Sequence, residues 1–230
     1  MPGPMIHSNL KRKMLMAVFC GLLCACTAAS LPPGDPAALH PRNLLVLHVA
    51  DMTTGHATET GLRSPMSGQM FDAGQVDPAA PRWMTLELVR QLNHAFSPQR
   101  VTQAQDHASI PPGTRGFNAN LETRAAVQAM GSAQKADYVI IGYVYDFRER
   151  SGSDYGIETP AQIAFELNLL EVVSGRLVWQ KHYKEKQKSL DEDILQFKTF
   201  WRRKGRWITA KEMAASAMQE MISQLTKKYR

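Results

Sequence analysis

The stretch from Ala136 to Tyr183 constrains this chain more than any other. It opens with Ala136-Asp137-Tyr138-Val139-Ile140-Ile141-Gly142-Tyr143-Val144-Tyr145, a β-branched and aromatic run too apolar for an exposed strand and too short for a membrane span. It predicts a buried central strand. A polar, glycine-bearing loop follows from Ser151 to Thr159. Gln162 to Val173 then alternates, with Ile163, Phe165, Leu167 and Leu169 on one face and Gln162, Glu166 and Asn168 on the other. That pattern predicts one buried face and one wet face. Ser174-Gly175 supplies a reversal, glycine accepting a positive φ. Beyond it, Leu177, Trp179 and Tyr183 are expected to share a face of a third strand. The predicted unit is a three-stranded antiparallel meander.

The first residues have a different character. Lys11, Arg12 and Lys13 precede an apolar run from Met14 to Leu23, the basic and hydrophobic regions of a secretory signal. The run ends in Leu23-Cys24-Ala25-Cys26, which resembles a bacterial lipobox: an aliphatic residue, two small ones, then the cysteine that receives lipid. The implied signal peptide is 1–25. The competing reading is a plain signal peptide in which Cys20, Cys24 and Cys26 are only small apolar residues. Under the lipoprotein reading, the mature chain carries Cys26 alone, acylated. No thiol is then left for a disulfide, a metal or catalysis. Removing the signal lowers the basic residues from 27 to 24 against 21 acidic ones, so the net charge falls from +6 to +3. A nucleic-acid partner loses much of its electrostatic support. By resemblance to known lipoproteins, Thr27 after the cysteine implies sorting to an outer membrane.

Residues 26–42 hold prolines and alanines without apolar periodicity, the composition of a tether. Asn43 to Ala50 reads as a first strand covered on both faces. From Asp51 to Ala80 the chain is Gly-, Ser-, Thr-, Asp- and Pro-rich, with Met66, Met70 and Phe71 as its anchors, and it is either a binding loop or an adaptable excursion. Trp83 to Phe96 places Met84, Leu88, Leu92 and Ala95 or Phe96 at helical spacing, with Glu87, Arg90, Gln91 and Asn93 opposite. Gln99 to Gln103 predicts a short edge strand. Asn120 is the expected N-cap of a helix from Leu121 to Met130, with Leu121, Ala125, Val127 and Met130 inward and Gly131 as its stop. Ser189-Leu190-Asp191-Glu192 and Thr209-Ala210-Lys211-Glu212 are capping boxes for a C-terminal helical pair over 189–230.

No catalytic set emerges. None of the seven histidines has the spacing that points two imidazoles from a helix at one metal, and no phosphate-binding glycine motif occurs. The residues imply no catalytic, metal or cofactor site. An enzyme reading needs His48 to converge with Asp51, His56 and carboxylates of the 51–80 stretch. Ser151-Gly152-Ser153-Asp154-Tyr155-Gly156 joins two strands, whereas a nucleophile elbow joins a strand to a helix. The most distinctive polar run is Phe197 to Trp207, in which Trp201, Arg202, Arg203, Lys204, Arg206 and Trp207 form a candidate contact patch. It suits lipid headgroups, an anionic glycan or an acidic protein surface, and equally a helix end followed by an ordinary turn.

Ala126-Val127-Gln128-Ala129-Met130-Gly131, Ala136 to Gly142, and Phe165 to Trp179 with its Ser174-Gly175 turn together resemble the TolB N-terminal-like lipoproteins. That family includes the curli secretion, Pel polysaccharide export and penicillin-binding-protein activator lipoproteins. The resemblance spans roughly Asn43 to Tyr183 and implies an α/β (α+β) domain over 43–188, a mixed sheet of about five strands with helices on it. It transfers no catalytic residue. It implies a non-catalytic scaffold or accessory subunit of an envelope assembly, secretion or export machine, lipid-anchored at the periplasmic face of the outer membrane. Its partners would be the membrane, envelope proteins and further copies of itself. An envelope hydrolase and an anionic-glycan-binding module are the alternatives.

Overall fold

The computed structural model describes residues 43–56, 59–96, 100–104, 119–152, 157–187 and 208–228. All lie in the second of two compact units, Ala38–Arg230. The described elements are β1 (Leu44–Val46), β2 (Ala50–Asp51), β3 (Gly61–Arg63), β4 (Met70–Asp72), α1 (Ala80–Ala95), β5 (Val101–Gln103), α2 (Ala119–Ala133), β6 (Tyr138–Arg148), β7 (Ser151–Gly152), β8 (Ile157–Thr159), β9 (Gln162–Glu171), β10 (Leu177–Lys186) and α3 (Ala210–Lys228).

The main sheet runs β10-β9-β6-β1-β5, with β2 pairing on β6 beyond β1. β6, β9 and β10 pair antiparallel, whereas β1 pairs parallel with both β5 and β6. This is the mixed sheet of the α+β class, with the predicted meander forming one side, from central β6 to edge β10, and the predicted edge strand β5 at the other. β6 is buried along nearly its whole length because helices cover both faces of the sheet. The Ser151 to Thr159 connection holds the β7–β8 ribbon. Gly175 makes its turn at φ +66°.

The single strand predicted over Asn43 to Ala50 is interrupted between β1 and β2. Val49 N–H there donates to Thr85 Oγ1 at 2.9 Å, and the same hydroxyl donates to Pro81 O at 2.8 Å. A buried amide that leaves the ladder is thus satisfied by the helix covering it.

One face of the sheet carries α1 and α3. Met84, Leu88 and Leu92 of α1 meet Met213, Ala214, Ala217, Met218, Met221, Ile222 and Leu225 of α3, with Val46, Ile140, Phe165 and Leu167 of the sheet beneath. The spacing of these residues is the apolar stripe read in the sequence, and α3 begins at the predicted capping box. Thr209 N–H donates to Glu212 Oε2 at 2.9 Å, and Glu212 N–H donates to Thr209 Oγ1 at 3.1 Å. Glu149 at the end of β6 adds a second cap, accepting from Ala210 N–H at 2.9 Å. The capping box at Ser189 and the helix after it lie outside the described residues.

The other face carries α2 and the β3–β4 hairpin, and several expectations need correction there. Asn120 lies inside the first turn of α2 rather than capping it, and Leu121 and Ala125 are exposed. Thr123, Val127 and Gly131 face the sheet instead. Gly131 does not end the helix. A Cβ there would lie 2.6 Å from both Val139 Cγ2 and Val172 Cγ2, so glycine is what allows α2 to approach the sheet. The helix stops two residues later, and Lys135 takes the left-handed conformation at φ 53°. A β-bulge between Leu177 and Trp179 sends Leu177 to this second face, away from Trp179 and Tyr183.

Candidate functional site

The largest departure from the sequence reading is on β9. Glu166 and Asn168, expected on a wet face, are 1% and 0% exposed. The 51–80 stretch reaches Glu166. It folds as the β3–β4 hairpin, whose Leu62, Met66 and Phe71 are buried in the second core, although Met70, expected as an anchor, faces solvent. The predicted excursion is therefore an ordered cover for polar groups of the meander.

Glu166 is the centre of this cover. Ser64 Oγ and Tyr145 O–H both donate to its Oε1, the latter at 3.0 Å, and Ser67 Oγ donates to its Oε2 at 3.0 Å. Ser64 Oγ in turn accepts from Met66 N–H at 3.2 Å and Ser67 N–H at 2.9 Å. One hydroxyl thereby ties a turn to a buried carboxylate 102 residues away in the chain. Phe71 stacks on Tyr145 with ring centroids 3.9 Å apart and planes at 7°, and His182 meets its edge at 6.0 Å. Asp72 pairs with Lys184, and Arg124 of α2 donates to Met66 O at 2.7 and 3.1 Å.

The register explains the clustering. Tyr143 of β6 and His182 of β10 both lie opposite Glu166, so three strands place a phenol, a carboxylate and an imidazole in one cross-strand row. Burial, then the Glu166 charge, pushes both the Tyr143 and Tyr145 phenols far above their ordinary range. Both stay protonated, and Tyr145 remains a donor. The Tyr143 hydroxyl and both amide atoms of Asn168 are buried without a hydrogen-bond partner.

Chemically, this arrangement ties the hairpin to the sheet. The Ser64 proton is directed at Glu166 and its lone pairs accept backbone amides, so the hydroxyl is engaged on every side. The serines and Glu166 share no hydrogen bond with His182 of the kind a nucleophile–base pair requires. Of the His48, Asp51 and His56 set, His48 Nε2 lies 3.4 Å from Gln103 Nε2. Asp51 accepts from Thr53 and Thr54, His56 Nδ1 lies 3.0 Å from Glu59 Oε1, and Asp77 accepts from Ala79 N–H at the start of α1. Among the described residues, no group of three His, Cys, Asp or Glu side chains is placed to hold a metal. A separate groove of about 330 Å³ lies between α1 and α3, lined by Arg90, Gln91, His94, Gln219, Ser223 and Thr226 among others.

The predicted lipid site Cys26, with Leu23, Cys24 and Ala25 before it, lies outside the described residues. So does the patch of Trp201, Arg202, Arg203, Lys204, Arg206 and Trp207. No helix among the described residues is long and apolar enough to cross a membrane. The Glu166 cluster was missed because its partners sit in a stretch without periodicity. The one signal for it was the pair of polar residues, Glu166 and Asn168, inside an otherwise apolar strand.

No family model matches the chain, and no curated protein matches it. Solved structures do. The PelC dodecamer from Paraburkholderia phytofirmans is 15% identical over 83% of this chain and 91% of that one, with a TM-score of 0.48. Lipoprotein GNA1162 from Neisseria meningitidis is 11% identical over 72% and 99%, with a TM-score of 0.38. The LpoB C-terminal domain from Salmonella enterica is 13% identical over 64% and 84%, with a TM-score of 0.34. These are among the backbones this chain is similar to.

Proposed function

We propose that this chain is an envelope lipoprotein, fastened through Cys26 to the periplasmic face of the outer membrane, that works without catalysis as a docking or scaffold subunit of an assembly, secretion or export machine. The observation that carries this reading is Leu23-Cys24-Ala25-Cys26, placed after a basic segment and a short apolar run and before a proline-rich tether. A thioether-linked lipid with further acyl chains holds a protein at a membrane, and the tether over 26–42 sets how far the body reaches from it.

The body suits that role. In the described residues the buried carboxylate is held by three hydroxyls of the fold itself, and the acidic residues of the 51–80 stretch pair locally or with the sheet. The finer parts of the proposal are a TolB N-terminal-like domain, a protein partner in the envelope, assembly with further copies of the chain, and contact through Trp201, Arg202, Arg203, Lys204, Arg206 and Trp207. Cys26→Ala tests the anchor. The variant is expected to lose incorporation of labelled palmitate and to move from the membrane to the soluble periplasmic fraction. Retention through a carbonate wash without label would overturn the lipoprotein reading.

A further inference from the structure

The excursion between β2 and α1 leaves and rejoins the sheet at almost the same place. Met52 N–H donates to Val144 O at 3.0 Å, and Gly74 N–H donates to Tyr145 O at 2.9 Å, so adjacent residues of β6 hold both ends. Ala73 N–H closes the neck on Thr60 O at 3.1 Å. Between these points β3 and β4 pair only with each other, as a ribbon separate from the main sheet. The hairpin's grip on the body is therefore made by side chains: Leu62, Met66 and Phe71 in the second core, Asp72 with Lys184, Arg124 on Met66 O, and Ser64 and Ser67 on Glu166. A two-stranded ribbon is marginal by itself, so those contacts decide whether it stays down.

The face beneath is not fully satisfied when the hairpin is down. The Tyr143 hydroxyl, in register with Glu166 and in the same core as Leu62, Met66 and Phe71, is buried without a partner. Exposing such groups lets them form hydrogen bonds and offsets part of the cost of uncovering apolar surface.

We propose that the Gly61–Asp72 hairpin is a lid, latched at Glu166 through Ser64 and Ser67, that opens as a unit about its neck on β6 while the sheet stays folded. The latch is the strongest polar contact because its acceptor is a buried carboxylate and its donors come from the turn at the lid's tip. Opening breaks no main-chain bond of the main sheet. This inference is independent of how the chain is anchored.

Amide hydrogen exchange on the full-length protein tests it. In the wild type, the amides of Ser64 and Gly68, which bond to Gln69 O and Ser64 O inside the hairpin, are expected to exchange faster than those of Leu47 and Val172, which bond across the main sheet. Glu166→Gln should speed the hairpin amides on the order of tenfold or more and leave the sheet amides unchanged. Ser67→Ala removes one donor and keeps the carboxylate, and it should give the same pattern at smaller amplitude if Glu166→Gln does not fold. Equal protection of hairpin and sheet in the wild type would overturn the lid. So would acceleration of both by a common factor in the variants.

Discussion

The two faces of the sheet are covered in different ways. On one, α1 and α3 bury methionine, leucine and alanine against Val46, Ile140, Phe165 and Leu167, with Thr85 and Gln91 of α1 as buried polar residues bonded to main-chain groups. On the other, α2 and the β3–β4 hairpin cover Tyr143, Tyr145, Glu166 and Asn168 beside Leu45, Val139, Ile141 and Leu170. A helix with a regular stripe can bury a face by hydrophobic transfer alone. A short ribbon cannot, and here it is held by hydrogen bonds to a carboxylate, with an aromatic stack beside them. The first face is built for stability. The second exchanges some stability for a cover joined to the sheet by side chains.

That contrast breaks most readily at its apolar end. Leu88→Ala, at a position of α1 with no exposed surface, should cost about 2–5 kcal/mol of unfolding free energy, because it leaves a cavity between α1, α3 and the sheet. Phe71→Ala on the hairpin should cost less in equilibrium denaturation, since its loss is capped at the free energy that holds the proposed lid closed. Equal losses would mean that the two covers are one cooperative unit.

A smaller effect of opposite sign sharpens the polar end. Asn168→Leu replaces a buried, unpartnered amide by an apolar group of similar volume, and should leave stability unchanged or raise it by about 1 kcal/mol. A marked fall in the denaturation midpoint would show that the amide has a partner that stabilises the face.

The smallest expected effect lies at the rim of the first face. On α1, the hydrogen bond from Arg90 holds the Glu87 carboxyl below its ordinary value of 4.5, against the opposing effect of burial. A depressed carboxyl pKa stabilises the fold above the unfolded value, and that contribution is lost as the pH falls through the folded one. Glu87→Gln should therefore be slightly less stable than wild type at neutral pH. The difference should close as the pH drops below 4.5 into the range where the folded carboxyl titrates. A difference that persists at lower pH would assign the effect to packing.

Legibility followed the same division. Leu44 to Val46, Met84 to Leu92 and Met213 to Leu225 could be placed because strand and helix periods repeat within a few residues, and Thr209 with Glu212 could be paired because a capping box is local. The end of α2 could not. Gly131 carries the usual mark of a helix stop, but it is there for the close approach of Val139 and Val172 from two other elements. Leu177 misled in the same way, since a bulge moves it to the opposite face from Trp179.

By itself the sequence determined the class of the fold, the meander, the helices of the first face and a segment with the marks of a lipid anchor. All of these are written in residues close together along the chain. Tertiary structure alone decided that Glu166 is buried and bonded, because its hydroxyl partners Ser64 and Ser67 come from about a hundred positions earlier. Alternation in a strand records which side chains are polar. Whether that polarity meets water or a serine depends on where a distant, aperiodic stretch comes to rest.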